Sequence, residues 1–234
     1  MRLRVFIRKT HRWLGLLIGL QVLFWVAGGL LMSWFPIDQI HGDHLRKEPA
    51  AIPLQLDALV QIKELISASG LDVIKSELSI GHFGAEYRLT DSKKTLHFYD
   101  AKTGNAMPAL SSESASTIAS KLYNGTAAIV SSQLMETNDL EYRKRVPAWR
   151  IQFDDSESSA FYIAADNGEL MSVRNTRWRI FDFVWMLHIM DYENRDNING
   201  WLLTLSALIA LLFTLSGGYL VVKSFRKKDF GFRS

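Results

Sequence analysis

Histidine is the residue type in this chain that is best suited to metal chemistry, because the 234-residue sequence contains no cysteine. The lack of cysteine excludes disulfides, thiolate zinc sites and covalent c-type haem attachment through a Cys-x-x-Cys-His motif. A neutral imidazole, by contrast, is a common metal ligand near neutral pH. The six histidines are His11, His41, His44, His82, His97 and His188.

Motifs for other kinds of catalysis are missing from the sequence. It contains no Gly-x-Ser-x-Gly, no His-Glu-x-x-His, no phosphate-binding glycine loop and no dinucleotide fingerprint. The net charge is only +3, and the basic residues concentrate in the two terminal tails. This pattern indicates membrane topology, so we expect a lipid environment and no nucleic-acid partner.

His11 lies in the segment RKTHRWLGLLIG (8–19), just before a long apolar run. On a helix, Gly15 and Gly19 share the face of His11, and their small-xxx-small spacing lets another backbone approach closely. One interpretation is an interfacial residue beside a helix-packing groove. The other is a metal ligand, with two glycines that leave room for a flat cofactor. Ionisable residues inside spans are costly and point to function, although His11 lies near the edge, where the cost is lower.

His188 lies in an aromatic stripe within RWRIFDFVWMLHIMDY (177–192). Helical spacing places Trp185 and other aromatic residues on the side of His188. A charged stretch follows before the next apolar run, so we expect this segment at the outer membrane face or dipping into it. It is either an interfacial aromatic belt, which Trp and Tyr favour, or an outer ligand site with aromatic walls that include Trp185.

The remaining histidines carry weaker signals. His41 and His44, in HGDHLR (41–46), follow the first apolar run and could assist His188 or bind a divalent metal as His-x-x-His. We favour His44 of the two. His82 and His97 belong to the region between the apolar runs, where strand alternation predicts that His97 faces solvent.

Two apolar runs, Trp13–Phe35 and Gly200–Val222, each contain 23 residues without a formal charge. At 1.5 Å per residue, each can span a hydrocarbon core of roughly 30 Å. The first run ends in LLMSWFP, not in small residues, so we interpret it as a retained anchor. Basic residues precede the first run and follow the second run. The positive-inside rule therefore places both termini in the cytoplasm. The basic residues are Arg2, Arg4, Arg8, Lys9, Arg12, Lys223, Arg226, Lys227, Lys228 and Arg233.

The region between the runs contains an internal repeat with a period of about 64 residues, seen by aligning LHFYDAKTGNAM (96–107) with AFYIAADNGELM (160–171). Each unit is predicted as a helix followed by three short antiparallel strands. The first helix is predicted over 54–69, with Gly70 as its stop, and the second over 111–123.

The predicted organisation follows the chain from the N-terminus. A cytoplasmic tail and first span (1–35) lead to a linker (36–53), two repeats (54–109 and 110–175), an interfacial aromatic helix and loop (176–198), a second span (199–223) and a basic tail (224–234).

The membrane-flanking segments resemble PepSY-associated transmembrane segments. These are RKTHRWLGLLIGLQVLFWVAGGLLMSWFPI with HGDHLR, and RIFDFVWMLHIMDY with GWLLTLSALIALLFTLSGGYLVV. The repeat units, which end in FYDAKTGNAM and FYIAADNGEL, resemble tandem PepSY domains. The resemblance covers nearly the whole chain. It implies an α+β membrane protein with two transmembrane helices, N-in and C-in, flanking a periplasmic tandem PepSY-like domain in a bacterial inner membrane.

Longer relatives of this kind, with four spans, resemble cytochrome-b-like ferric-siderophore reductases that hold two haems between helices; this chain matches half of such a bundle. The resemblance implies haem b bound by His11 on the inner side and by His188, with His44 or His41, on the outer side. Gly15, Gly19 and Trp185 would line these sites. We expect the two sites about 35 Å apart along the membrane normal.

The second span contains no histidine, so an inner haem with two imidazole ligands needs a second chain. We therefore expect a homodimer with two haems or more, its seam built on Gly15 and Gly19. Electrons would come from a quinol or a cytoplasmic reductase, and would pass to a periplasmic ferric siderophore or flavin protein. The alternatives are a non-redox module that binds a periplasmic peptide or peptidase, and an accessory subunit of a larger membrane complex.

Overall fold

The computed structural model describes residues 2–48 and 58–224. The chain divides into two compact units, a membrane unit of Met1–Pro36 with Ile180–Ser234 and a sheet unit of Ile37–Arg179. Some residues on which the sequence predictions rest lie outside the described part of the chain. They are the first residues of the predicted helix at 54–57 and the tail residues Arg226, Lys227, Lys228 and Arg233.

Two helices of the membrane unit, α1 (Arg2–Trp34) and α6 (Trp201–Ser224), are long and apolar enough to cross a membrane. Helix α1 has 33 residues, which corresponds to about 50 Å at 1.5 Å per residue. It stops before Pro36, whose ring and missing N–H cannot continue a helix. Many of the large apolar side chains on both helices are exposed, as expected for lipid-facing positions.

The two spans pack antiparallel against each other in a register set by glycine. A Cβ atom on Gly15 would lie 2.9 Å from the Phe213 ring, so a larger residue requires that ring to move. One turn away, a Cβ on Gly217 would lie 3.0 Å from His11. The glycine face of α1 therefore packs, through Gly15, on the second span of the same chain. Gly19 has no such neighbour within 4 Å.

Helix α5 (Thr176–Ile189) ends in the membrane unit, beside the second half of α1. The last carbonyl groups of a helix have no partner within it. Here Gln21 Nε2 donates to the carbonyl of Leu187 at 2.9 Å, and Trp25 Nε1 donates to that of His188 at 2.8 Å. Two side chains one turn apart on α1 therefore cap the end of α5.

The sheet unit contains two antiparallel sheets, each accompanied by one helix. The first sheet has the order β1 (Val73–Gly81), β2 (Gly84–Asp91), β3 (Leu96–Asp100), and follows α3 (Ile62–Ser69). The second has the order β4 (Ile129–Met135), β5 (Ala148–Phe153), β6 (Ala160–Ala164), β7 (Leu170–Arg174), and follows α4 (Ser112–Leu122). The predicted fold class, a helix plus antiparallel sheet twice between two apolar helices, is confirmed.

The last of the three strands predicted for the second repeat is instead the hairpin of β6 and β7. Its turn contains Gly168, whose φ of +73° suits glycine, and the Gly168 amide donates to the Ala164 carbonyl. The first repeat has the same turn at Gly104, with φ of +72° and a bond to the Asp100 carbonyl. There the return strand is reduced to one bridge between Tyr99 and Ala106. The repeat is therefore present, with one strand more in its second copy.

The first helix of the sheet unit begins later than its apolar spacing predicts. Helix α3 starts at Ile62 and ends at Gly70, whose φ is +65°. Before it, the Val60 amide donates to the Ala101 carbonyl, and the Val60 carbonyl accepts from the Tyr87 hydroxyl at 2.8 Å. Both backbone polar groups of Val60 therefore bond to the sheet region and are not used for helical hydrogen bonds. The apolar stripe at 59–66 nevertheless packs on the core of the first repeat.

Two short helical segments connect the first span to the sheets. These are α2 (Ile37–His41) and a 3-10 turn at Asp43–Leu45. Leu45 is buried in the core of the second repeat with Ile118 and Val173. The Asn175 side chain donates to the Gln39 carbonyl at 2.8 Å. The segment after the first span is thus part of the sheet unit's packed structure.

Candidate functional site

His11 lies against one turn of α6 that comprises Phe213, Ser216 and Gly217. Its Nδ1 atom is 2.8 Å from the Ser216 hydroxyl and 3.2 Å from the Phe213 carbonyl oxygen. Its ring stacks on the Phe213 ring, with centroids 4.4 Å apart and planes 3° from parallel. Gly217 lies against the imidazole, because a Cβ atom there would be 3.0 Å from His11 Cε1.

These contacts assign the proton of His11. The Ser216 hydroxyl donates to the Phe213 carbonyl at 2.7 Å, so it offers a lone pair to the ring. The carbonyl oxygen can only accept. Both partners of Nδ1 can act as acceptors, so in a neutral ring this geometry favours the tautomer with its proton on Nδ1 and a lone pair on Nε2. Histidines that bind a metal through one nitrogen normally donate from the other in this way.

Sequence reasoning did not identify Phe213 and Ser216. The available signal was their spacing with Gly217, because positions i, i+3 and i+4 share one face of a helix. The whole of α6 is apolar and its second half contains few polar groups, so the face of Phe213, Ser216 and Gly217 does not stand out in the sequence. An intramembrane serine opposite a histidine is the detail that a helical-wheel comparison of the two spans would have revealed.

His188 lies between two tryptophans in the membrane unit. Its ring centroid is 6.4 Å from that of Trp185, nearly parallel to it, and 6.4 Å from that of Trp25. Its Nδ1 atom is buried and has no hydrogen-bond partner within the part of the chain that the structure describes. Buried polar atoms are nearly always bonded, so an unpaired ring nitrogen between aromatic walls is a feature expected of a ligand position.

The loop after His188 is tied to the same helix by several contacts. Trp185 Nε1 donates to the Arg195 carbonyl at 3.1 Å, and the Arg195 guanidinium pairs with Asp182 at 2.5 Å. The Asp191 carboxylate accepts four backbone N–H bonds within the loop. These bonds, above all the one from Asn197, lower the pKa of Asp191. The bond to Arg195 therefore fixes the position of the Trp185 ring beside His188.

His11 and His188 are closer along the axis of α1 than the sequence predicts. Because His188 lies beside Trp25, its level is 14 residues from His11 along α1. That distance corresponds to about 21 Å, not the expected 35 Å. The reason is that the end of α5 runs back along the first span, beside its middle instead of beyond Trp34.

His44 and His41 both belong to the sheet unit. His44 Nε2 lies 3.1 Å from Glu157 Oε1, a carboxylate that also binds Arg177 at 2.7 Å. His41 is exposed at the end of α2 and lines a cavity there. Among the described residues, no three His, Asp or Glu side chains form a cluster that could hold a metal ion. Their assignment as ligands stays a prediction.

His97 and His82 have structural contacts. The His97 side chain, expected to face solvent, is 32% exposed, and its Nε2 is 3.1 Å from Asp91 Oδ2. The pKa of Asp91 is lowered, first by the Thr95 amide and then by His97. His82 packs edge-on against Phe83, and burial lowers its pKa.

Comparison with known proteins gives one match. A family profile described as "PepSY-associated TM region" matches residues 8–234, which is nearly the whole chain. A search of curated proteins and a search of solved structures found no match. The matched range includes both apolar helices, both sheets and all six histidines.

Proposed function

The chain belongs to the PepSY-associated transmembrane-region family, and from that premise we propose that it is a haem-b electron-transfer protein of the bacterial inner membrane. The observation that carries this proposal is the pair of hydrogen-bond partners at His11 Nδ1. Two acceptors hold its Nδ1–H, so a lone pair on Nε2 is available as a ligand beside a membrane span. The unpaired Nδ1 of His188 supports a second site.

At the inner site, His11 would hold the iron through Nε2. Ser216 and the Phe213 carbonyl would hold the ring in one orientation. Gly217 leaves space for the imidazole, and the Phe213 ring covers one of its faces. When bound, haem iron supplies one-electron transfer between its ferric and ferrous states.

At the outer site, His188 would be the ligand, with Trp185 and Trp25 as walls. Aromatic walls exclude water and lower the local dielectric, which are two of the means by which a protein sets a haem potential. The two sites lie at levels about 21 Å apart along α1. Because Trp25 lies near the middle of the first apolar run, this spacing would lead an electron from the inner end of that run to its middle.

Each site offers one imidazole from this chain, and α6 contains no histidine. A homodimer that brings two copies of His11 together would complete the inner site. Since Phe213 of the same chain already covers Gly15, the Gly19 side of α1 is the seam that remains open. We assign the donor as a quinol or a cytoplasmic reductase, and the acceptor as a periplasmic ferric siderophore or flavin protein.

An absorption spectrum of the purified full chain tests the proposal. We expect a red preparation with a low-spin b-type spectrum that dithionite shifts. His11→Ala and His188→Ala should each remove about half of the haem measured as pyridine haemochrome, whereas the matched control His82→Ala should remove none. A colourless protein from haem-replete cells, unchanged by added haemin, would contradict the proposal.

One observation favours a second candidate function, a non-redox module that binds a peptide. A cavity of about 480 Å³ in the sheet unit is lined mainly by apolar groups, among them Phe83, Met107 and Leu110, with Ser111 at the start of α4. This composition suits an apolar peptide side chain next to a polar anchor. Saturable peptide binding that Leu110→Asp abolishes, by a chain that binds no haem, would favour this function.

A further inference from the structure

A second cavity of the sheet unit, of about 390 Å³, lies between the segment after the first span and strand β7. The segment contributes His41, Asp43 and Arg46 to its lining, and the end of β7 contributes Ser172 and Arg174. Lys144, from the loop before β5, lines it as well. The cavity is thus formed where three parts of the sheet unit meet.

Positive charge dominates this cavity. Arg46, Lys144 and Arg174 are cationic, whereas Asp43 is the only acidic residue among the lining residues that the structure describes, and Arg46 pairs with Asp43 at 2.7 Å. Within the described residues, Lys144 makes no ion pair, and its Nζ donates to the Met171 carbonyl. An ammonium group has three donors, so two remain for a ligand.

The cations are held by the protein. Arg174 Nε donates to the Glu141 carbonyl at 2.8 Å, and the guanidinium stacks on the Trp178 ring at 4.1 Å. The pKa of Lys144 lies below its usual value because of burial and then because of repulsion by Arg174, which Glu169 offsets only in part. Lys144 and Arg174 therefore both bring a positive charge to the lining of the same cavity.

We propose that this cavity binds the anionic group, a phosphate or a carboxylate, of a small ligand through Lys144, Arg174 and Arg46. Charge-assisted bonds to such groups are short and strong, and arginine suits their planar or tetrahedral oxygens. The volume lies at the lower end of the range for small-molecule sites and exceeds that of one phosphate, so the cavity has room for an organic part beside the anionic group. The proposal does not depend on haem binding. The anion can belong to a lipid headgroup or to a soluble metabolite.

Two measurements on the full chain in neutral detergent distinguish these sources. Calorimetric titration with inorganic phosphate and with citrate tests a soluble anion, and native mass spectrometry with phosphatidylglycerol tests a lipid headgroup. The variants are Lys144→Gln, and Arg46→Gln at the exposed rim in case the first does not fold. Lys63→Gln on α3 is the matched control, because it removes the same charge from an exposed position outside the cavity.

We expect saturable binding of at least one probe, weakened about tenfold or more by Lys144→Gln and by Arg46→Gln but unchanged by Lys63→Gln. Binding of citrate or phosphate supports a soluble ligand, and variant-sensitive binding of phosphatidylglycerol alone supports a headgroup. Absence of binding by all three probes would overturn the proposal. Equal weakening by Lys63→Gln would overturn it too, because the effect would then reflect net charge alone.

Discussion

The Ser216 hydroxyl lies 2.8 Å from His11 Nδ1 and joins the two spans of one chain through a polar contact inside an apolar pair of helices. Because the same hydroxyl donates to the Phe213 carbonyl, it accepts from the ring and fixes which ring nitrogen has the proton. The register between the spans and the chemistry of His11 therefore depend on the same turn of α6.

Replacing Ser216 by Ala should weaken haem binding at the inner site by about 10- to 100-fold, the usual cost of losing a group that orients a metal-bound histidine. The Phe213 carbonyl stays, so some orientation persists. Thr214→Ala is the matched control, since the Thr214 hydroxyl bonds only to the Ala210 carbonyl on its own helix. Haemin titration followed by absorbance measures both variants. Equal affinities would show that Ser216 has no role in orienting His11.

Gly217→Val should displace the His11 ring. A Cβ there would lie 3.0 Å from His11 Cε1, whereas Gly218 has open space around the same position. We expect Gly217→Val to cost about 1–3 kcal/mol of stability through overpacking, and to abolish haem binding at His11. Gly218→Val makes the same chemical change and should do neither. Thermal melting and haem content give the two readouts, and similar behaviour of the variants would refute the packing described for His11.

The sequence predicts the large features of this fold because each has a strong periodic or compositional signal. Apolar length identifies α1 and α6, and the self-similarity of 96–107 and 160–171 identifies the repeat. It does not predict that Val60 bonds to the sheet region, because that contact depends on Ala101 and Tyr87, which are far away in the chain. Local spacing fits a helix there equally well.

The candidate site likewise has some features that the sequence predicts and others that it does not. Residue type and position identify His11 as a candidate ligand, whereas its contact with Gly217 is seen only in the structure. The depth of His188 was not predictable, because it depends on the Trp25 side chain capping the end of α5. The sequence shows that α5 is rich in aromatic residues. It does not show which turn of α1 packs against the end of α5.

Variants at Gly15 and Gly19 of α1 distinguish packing within a chain from packing between chains. Gly15→Leu should lower the melting temperature, because the Phe213 ring occupies the space beside Gly15. Gly19→Leu should leave the single chain intact, since nothing lies within 4 Å, but it should reduce the dimer fraction if the seam uses that face. Crosslinking and native mass spectrometry measure the dimer. An unchanged dimer fraction in Gly19→Leu would exclude this seam.

The proposed topology has both termini in the cytoplasm. It rests on Arg4, Arg8, Lys9 and Arg12 before the apolar part of α1 and on Lys223 at the end of α6. Alkaline phosphatase joined after Asn124, in the sheet unit, should be active, and phosphatase joined after Ser234 should be inactive. The reverse pattern would invert the orientation and exchange the inner and outer sites.

Arg195 should position the outer site without touching its ligand. Its guanidinium neutralises Asp182, whose side chain is 11% exposed, and its carbonyl accepts from Trp185, which stacks near His188. Removing one partner of such a pair leaves the other charge buried, so Arg195→Ala should destabilise the protein by about 1–3 kcal/mol. It should also lower the haem content of the outer site, because Trp185 and the loop lose their anchor.

Arg195→Lys keeps the charge and should restore most of that haem, while Glu193→Gln, an exposed position in the same loop, should have no effect. The measurement is pyridine haemochrome per chain in a His11→Ala background, where only the outer site remains. The reduced spectrum distinguishes positioning from general destabilisation, because a shifted ligand moves its absorption bands whereas partial unfolding only lowers their intensity. If Arg195→Ala lost intensity alone, in proportion to its loss of folded protein, Arg195 would be a stabilising residue with no influence on His188.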